Sequence, residues 1–450
     1  MSSTQSDGTT APELDRATKT RVLLGSMSGS SIEWFDFFLY ATTTPLVFDK
    51  LYFPTGNATV SLMISYVALA LTFFVRPIGG ALFAHIGDRV GRKKTLVLTL
   101  SLMGGATVAI GLIPTYAAIG IWAPVLLVTM RIVQGIAIGG EWGGAILLAY
   151  EYAPKQRRGL FGSVPATGST VGLLMATAAL AAVNQLPEQQ FLSWGWRIPF
   201  VASLVLVLVG LWIRGRLDET PAFRRAREEE QIAKLPLVET LRDHWRAVLV
   251  AIGAKVVETA PFYIFATFSV GYATDVLGHS ENSALSAVSI GAAVGTVMIP
   301  VMGRLSDRFG RRRVFVVGAA LLGGVGFPYF LLLEADTGWA LVLAAVLAIG
   351  LVWPAVAATL PTMTSEIFST RVRYTGITLG YQIGAALAGG TAPLLATYLL
   401  AEFDDHWLLI ALYLLLLAVV SIASVAGAGK IADKEEQGEE PRVNVPAAAE

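Results

Sequence analysis

The sequence predicts an all-α membrane protein: 12 transmembrane helices arranged as two pseudo-symmetric six-helix bundles. Three observations carry that prediction. Of 450 residues, 54% are hydrophobic and 15% charged, against about 25% charged in an average soluble domain. Apolar runs long enough to cross a bilayer, about 20 residues each, recur along the whole chain. A charged motif appears twice, in register with a second repeated pair. A soluble enzyme of this length has no means of hiding that much apolar surface, so that class is excluded.

Residues 1–21 are polar, with neither an apolar core nor a small-residue cleavage site, and read as a cytoplasmic tail. Spans follow near 22–47, 58–86, 95–114, 122–149, 160–183 and 196–213, then 247–276, 284–303, 314–333, 339–364, 374–401 and 406–427. Only helices and closed barrels satisfy their backbones in lipid. These continuous runs lack the period-2 alternation of barrel strands. The expected domains are a bundle over 22–214, a cytoplasmic loop over 215–246, a second bundle over 247–427 and a cytoplasmic tail over 428–450. Of 33 Lys and Arg, 28 fall in the two tails and the even-numbered connections. That asymmetry places both termini in the cytoplasm of a multi-pass protein of the cell membrane. The Arg224–Glu230 run in the long central loop reads as a solvated connector.

Span 1 carries Glu33, Asp36, Phe37 and Tyr40 at i, i+3, i+4 and i+7, hence on one face. Charge at a helix centre costs about 2.5–3.5 kcal/mol on insertion scales, so such residues are candidates for function. Two acids three residues apart repel, which favours one of them holding a proton. The alternative is a structural salt bridge. Arg76, towards the end of span 2, is either functional or snorkels to the interface.

Gly87-Asp88-Arg89-Val90-Gly91-Arg92-Lys93-Lys94 follows span 2. Ser306-Asp307-Arg308-Phe309-Gly310-Arg311-Arg312-Arg313 follows span 8, 219 residues later. Glu151 with Glu366, and Arg158 with Arg373, are both 215 apart. Two motif pairs in register mean that the halves are structural copies, as in duplicated transporters with a central cavity. Gly91 and Gly310 allow a sharp reversal, and Asp88 and Asp307 are free to pair with arginines or a helix end. We read Asp88, Arg89, Gly91, Arg92, Asp307, Arg308, Gly310, Arg311, Glu151, Arg158, Glu366 and Arg373 as gating residues rather than plain positive-inside anchors.

In span 4, Arg131, Gln134, Ile138 and Glu141 share a face. Arg131 is a permanent cation suited to grip a substrate carboxylate bidentately or to neutralise Asp36. Gly135, Gly139 and Gly143 form a small-xxx-small packing ladder. In span 7, Lys255 and Glu258 stand one turn apart, with Tyr263 beyond. Tyr381 and Gln382 offer hydrogen bonds from span 11, and Trp353-Pro354 predicts a kink in span 10.

The paired loops resemble the signature of the major facilitator superfamily. Glu33-Trp34-Phe35-Asp36-Phe37, Arg76-Pro77-Ile78-Gly79-Gly80 and Gly139-Gly140-Glu141-Trp142-Gly143-Gly144 resemble its metabolite:proton symporter family. So do Phe191–Phe200 and Glu219-Thr220-Pro221-Ala222-Phe223, the shikimate-type branch being the most similar. The resemblance covers about residues 22 to 427. It implies the major facilitator fold and uptake of a small organic acid by symport with protons. A hydroxylated or aromatic carboxylate such as shikimate is favoured; a di- or tricarboxylate, a zwitterionic osmolyte, or efflux of an anionic drug are the alternatives. It also implies an arginine where Lys255 stands, so this chain presents a point charge there and not a planar fork.

The expected proton-coupling set is therefore Glu33, Asp36, Glu141 and Glu258. The expected substrate set is Arg131, Gln134, Tyr40, Lys255, Tyr263, Tyr381 and Gln382. No catalytic residue and no cofactor is expected, the proton gradient being the driving force. No phosphate loop or hydrolase motif is present. No Cys occurs, and His85, His244, His279 and His406 are scattered, which gives no metal-ligand spacing. A net charge of zero indicates no nucleic-acid partner. The expected partners are an organic anion, protons and lipid, around a monomer.

Overall fold

The computed structural model describes residues 16–90, 92–139, 146, 149–150, 153–215, 236–335, 337–368, 373–403 and 406–438, with no strand among them. In the first half run α1 (Arg16–Thr43, continued as a π turn Thr44–Phe48 and a last turn Asp49–Leu51), α2 (Ala58–Val90) and α3 (Arg92–Leu112). They are followed by α4 (Trp122–Gly139), α5 (Arg158–Val183) and α6 (Arg197–Gly215). The second half has α7 (Trp245–Val276), α8 (Glu281–Phe309), α9 (Arg311–Leu333) and α10 (Gly338–Ile367). It ends with α11 (Arg373–Ala388, continued by Ala392–Glu402) and α12 (Leu408–Gly438). Among the described residues nine helices are long and apolar enough to cross a membrane, or ten if the bent pair Glu188–Gly195 and Arg197–Trp212 is one span.

Local chemistry sets several boundaries. Ser280 caps α8 by accepting from the Ser283 N–H at 3.2 Å, which satisfies one of the donors a helix start leaves open. Gly310, at φ 91°, ends it. Where a kink is expected at Pro354, α10 runs on as one span and carries a π-helical stretch over Val346–Val352, proline supplying no N–H to the regular ladder.

Packing repeats across the two halves. In the first, α1 lies on α5, α2 on α4 and α3 on α6; in the second, α7 lies on α11, α8 on α10 and α9 on α12. The halves meet through α5 against α8 and α2 against α11, and the pseudo-twofold exchanges those two contacts. The π turns follow the same relation: Thr44–Phe48 in α1 and Ile264–Phe268 in α7 are separated by nearly the offset of the repeated motifs.

The glycine ladder of α4 packs as its spacing predicts. A Cβ at Gly135 would sit 2.4 Å from the Thr72 carbonyl oxygen and one at Gly139 2.0 Å from that of Arg76, so α4 touches α2 backbone to backbone. Gly143 lies outside the described residues. Away from these seams the helices present large apolar side chains outward, such as Val205, Leu208 and Trp212 on α6 and Val297 and Val301 on α8. A contiguous apolar exterior of this kind suits hydrocarbon.

Candidate functional site

A small cavity lies between the halves. The first half lines it with Trp34, Phe38, Phe73, Arg76 and Ser169, and the second with Lys255, Glu258, Thr259, Phe262, Tyr263, Trp353, Tyr381 and Ala385. Most of that wall is aromatic, and the charges are few and placed on both sides.

Arg76 is 2% exposed. Its guanidinium carbon lies 4.1 Å from the Phe73 ring centre and 4.8 Å from that of Phe37. Its Nε and Nη2 have no hydrogen-bond partner. A buried arginine with open donors carries a desolvation cost that a ligand can relieve. Of the two readings open for Arg76, snorkelling does not fit: the guanidinium is buried inside the protein against the Phe37 and Phe73 rings and does not reach out to an interface. The sequence reading kept this residue out of the substrate set because the basic loop seemed close.

Opposite, Lys255 is ion-paired with Glu258, and its Nζ lies 3.5 Å from the Tyr381 ring centre. Gly384 admits it, since a Cβ there would meet the Lys255 Cβ at 2.7 Å. Thr259 Oγ1 donates to Glu258 at 2.8 Å, and Trp353 Nε1 donates to the Glu258 carbonyl at 2.7 Å. Two helices thus hold one ion pair at the cavity wall. The Tyr263 ring meets Phe37, Phe38 and Phe73 at 5.6, 5.9 and 5.4 Å, and its hydroxyl has no partner.

Lys255, Tyr263, Tyr381 and Glu258 from the expected sets therefore line the cavity. Arg131, Gln134, Tyr40, Gln382, Glu33 and Asp36 do not. Arg131 is fully buried behind Phe37, 5.2 Å from that ring centre and 3.8 Å from that of Tyr40. Its Nη1 donates to Gln134 Oε1 at 2.7 Å, and Gln134 Nε2 donates to Thr107 Oγ1 at 2.7 Å. Asp36 is fully buried beside Thr107, with neither carboxylate oxygen hydrogen-bonded. No ion pair joins it to Arg131 among the described residues, so the neutralising role weighed for Arg131 is not seen. Glu33 is 3% exposed and engaged with other groups, Arg76 acting on it electrostatically. Gln382 Nε2 reaches the Gly139 carbonyl of the other half at 3.5 Å, its Oε1 lacking a partner. Glu141 lies outside the described residues. Thr107, Trp34, Phe73 and Trp353 were not singled out as site residues, being uncharged and ordinary in a membrane helix.

At the end of the bundle bearing the basic loops, Asp307 accepts from the N–H groups of Gly159 and Leu160 at 2.7 and 3.0 Å. An acid from α8 thus caps the start of α5, across the two halves. Gly159 permits this approach, since a Cβ there would lie 2.6 Å from the Gly303 carbonyl oxygen. Arg311 braces the acid at 3.5 Å and is paired with Glu366. Arg308 points outward, 5.4 Å from the Phe309 ring centre. Arg158 Nη1 donates to Tyr150 Oη at 3.1 Å. Gly91, Glu151 and the side chains of Asp88, Arg89, Arg92 and Arg373 lie outside the described residues. At the other end Pro45 of α1 packs on Gly271 of α7.

Asp307→Asn is expected to loosen the α5–α8 contact by about 1–2 kcal/mol, the difference between a charged and a neutral cap. The chain has no cysteine, so one placed at Ser163, which is fully buried against Gly303, reports on that contact. Its alkylation should run roughly tenfold faster in the variant; an unchanged rate means that the cap holds nothing closed.

A sequence model of the Major Facilitator Superfamily matches residues 26–393. The shikimate transporter of Escherichia coli K12 is 37% identical over 404 residues, covering 89% of this chain and 92% of that protein. The inner membrane metabolite transport protein YhjE of the same organism is 38% identical over 401 residues, 86% and 89% of the two chains. The proline/betaine transporter of Salmonella typhimurium is 31% identical over 439 residues, 95% and 87%. Among solved structures, the partially occluded inward-open form of the xylose transporter XylE from E. coli superposes with a TM-score of 0.71. It is 16% identical and covers 92% of this chain and 98% of that one, a likeness of fold. From the duplicated helices, the cavity between the halves and these similarities together, the chain belongs to the major facilitator superfamily and is a multi-pass membrane transporter of small molecules, not an enzyme.

Proposed function

We propose that the protein takes up a small organic anion, of the shikimate type, by symport with a proton and alternating access between its halves. The basic-loop end and both termini face the cytoplasm of an inner-membrane monomer. The observation that carries the reading is the cavity wall: Arg76, with open donors, on one half and the Lys255–Glu258 pair on the other, set among aromatic rings. A carboxylate satisfies the guanidinium, and the rings of Trp34, Phe38, Phe262 and Trp353 offer apolar faces to a substrate ring. Hydroxyls have Thr259, Tyr263 and Glu258 as partners. The similarity to a shikimate transporter agrees with this choice.

Asp36 is the acid assigned to the proton. It lies in the first half next to the cavity wall, since its neighbour Phe37 packs against Arg76. Thr107 alone stands close enough to offset a negative charge there, and no cation pairs with it among the described residues, so an ionised carboxylate is costly. A proton carried with a monoanion also makes the step electroneutral, removing a cost of about 2.3 kcal/mol per charge per 100 mV.

One observation favours a second reading. The same ring set suits a quaternary ammonium through cation–π contact, and a proline/betaine transporter is among the relatives. A zwitterionic osmolyte would then place its carboxylate at Arg76.

The test is uptake of labelled shikimate into proteoliposomes under an imposed inward proton gradient, with and without a protonophore. Protocatechuate, alpha-ketoglutarate, citrate and betaine compete in parallel. Protonophore-sensitive uptake, competed by protocatechuate but not by betaine, is the expected result. Inhibition by betaine alone supports the zwitterion reading, and uptake indifferent to the protonophore overturns the symport.

A further inference from the structure

Away from the cavity, at the end opposite the basic loops, two acids from different halves stand against the α1–α7 contact. Asp49, just past the apolar stretch of α1, is 7% exposed, and its Oδ1 has no hydrogen-bond partner. Asp275 belongs to α7. Its Oδ1 accepts from Thr274 Oγ1 at 3.1 Å, and its Oδ2 lies 3.8 Å from the position a Cβ would take at Gly271. That same position meets Pro45 of α1 at 3.1 Å. Tyr66 of α2 is fully buried, its hydroxyl also lacks a partner, and it feels both Asp49 and Asp275. Lys50, exposed at the rim, is the cation acting on both acids. This cluster is no part of the cavity and was in none of the expected sets.

We propose that Asp49 and Asp275 form a second proton-binding site, which holds this end of the transporter closed when a proton is bound. With Asp49 neutral, the open Oδ1 and the Tyr66 hydroxyl carry no uncompensated charge, and α1 rests on α7. With Asp49 ionised, a buried negative charge from the first half and an exposed one, Asp275, from the second act on each other at the α1–α7 contact, Lys50 reaching them only from the rim. That repulsion is relieved by separating the halves at this end, the hinge being supplied by the π turns over Thr44–Phe48 and Ile264–Phe268.

Burial pushes the Asp49 carboxyl up from 3.8 to about 7, with Lys50 pulling it back and Asp275 adding to the rise. A raised acid binds its proton more tightly in the closed state than in the open one. Closure is therefore favoured at low pH and is lost as pH rises through about 7. If opening returns the carboxyl to its ordinary value, the closed-to-open ratio is about 30-fold larger at pH 5.5 than at pH 8.5. In a proton-driven importer the acidic compartment is the outer one, so the site would shut the outer end behind an incoming substrate.

The inference rests on the alternating-access part of the proposed reading alone, and its test needs neither substrate nor gradient. Spin labels go on cysteines placed at Asn57 and Thr337, exposed positions at this end in the first and second halves. The distance distribution is then recorded by pulsed electron resonance at pH 5.5 and 8.5. A single short distance at pH 5.5, joined by a longer one at pH 8.5, is expected. In Asp49→Asn the longer population should shrink at least tenfold at pH 8.5, and in Asp275→Asn it should shrink in the same direction by less, because burial is the larger cause of the Asp49 shift. A distribution that ignores pH, or that responds to pH equally in parent and variants, overturns the proposal. Absence of labelled-substrate uptake with the pH-dependent distances retained would count against the symport reading and not against this site.

Discussion

Asn in place of Asp36 is expected to abolish proton-driven accumulation while leaving substrate exchange across the membrane intact. Asn has the shape of the neutral acid and no proton to release, so it mimics one state of the proposed cycle permanently. Each unit of pH difference is worth about 1.4 kcal/mol, or tenfold in accumulation for one proton per anion. A two-unit gradient thus drives about 100-fold accumulation in the parent and none in the variant. Counterflow, in which labelled substrate enters as unlabelled substrate leaves, requires no proton release and should persist. Expression should persist too, because Asp36 makes no ion pair among the described residues and Asn can keep its contact with Thr107. Glu33→Gln separates the two acids of the same face. Glu33 is engaged with other groups and with Arg76, so its loss should weaken binding and exchange together. Normal accumulation in Asp36→Asn would sink the assignment.

The helices were legible because lipid leaves the backbone so little choice: apolar length gives the span, and the lysine and arginine asymmetry gives an orientation still to be tested. The duplicated loops announced two related halves, and Asp307 does lie across them, capping α5. The paired copy around Asp88 falls where no side chain is described, so the symmetry of the cap stays an expectation. The site was read less well, for a geometric reason. Helical periodicity says which residues share a face but not what stands in front of that face. Asp36, Tyr40, Arg131 and Gln134 were grouped as a site by their spacing, and they do cluster with Thr107. The Phe37 ring, however, packs against both arginines, and only Arg76 reaches the cavity. Depth misled in the same way. Arg76 reads as close to the basic loop until α2 is seen to run on to Val90 without a break. The aromatic wall had no signal at all, since Trp34, Phe73, Phe262 and Trp353 are what any membrane helix contains.

Arg76 gives the sharpest test of that corrected site. Arg76→Gln is expected to lower transport at least 100-fold, since truncating one partner of a buried charge pair costs about 2–5 kcal/mol. Arg76→Lys should rescue only in part, with an apparent KM raised roughly 10- to 100-fold. An ammonium supplies a point charge, where the guanidinium offers two parallel donors to a carboxylate. The discriminating observation is stability. An arginine retained for packing loses stability when replaced, whereas Arg76 has donors without partners and stands near a second buried arginine, Arg131. A buried cation with unmet donors, offset only in part by Glu33, costs the empty protein, so replacing it by an apolar side chain of similar length is expected to be close to neutral or stabilising. Arg76→Met should therefore melt in detergent at the same temperature as the parent or higher, while binding no substrate. Added shikimate should raise the melting temperature of the parent and not of the variant, because a ligand stabilises only the state that binds it. A variant that melts well below the parent would make Arg76 a structural residue and return the carboxylate to Lys255, or to Arg131 behind a displaced Phe37. The asymmetry follows from the empty cavity itself: a site that waits for an anion holds its cation at a cost, and only the anion removes it.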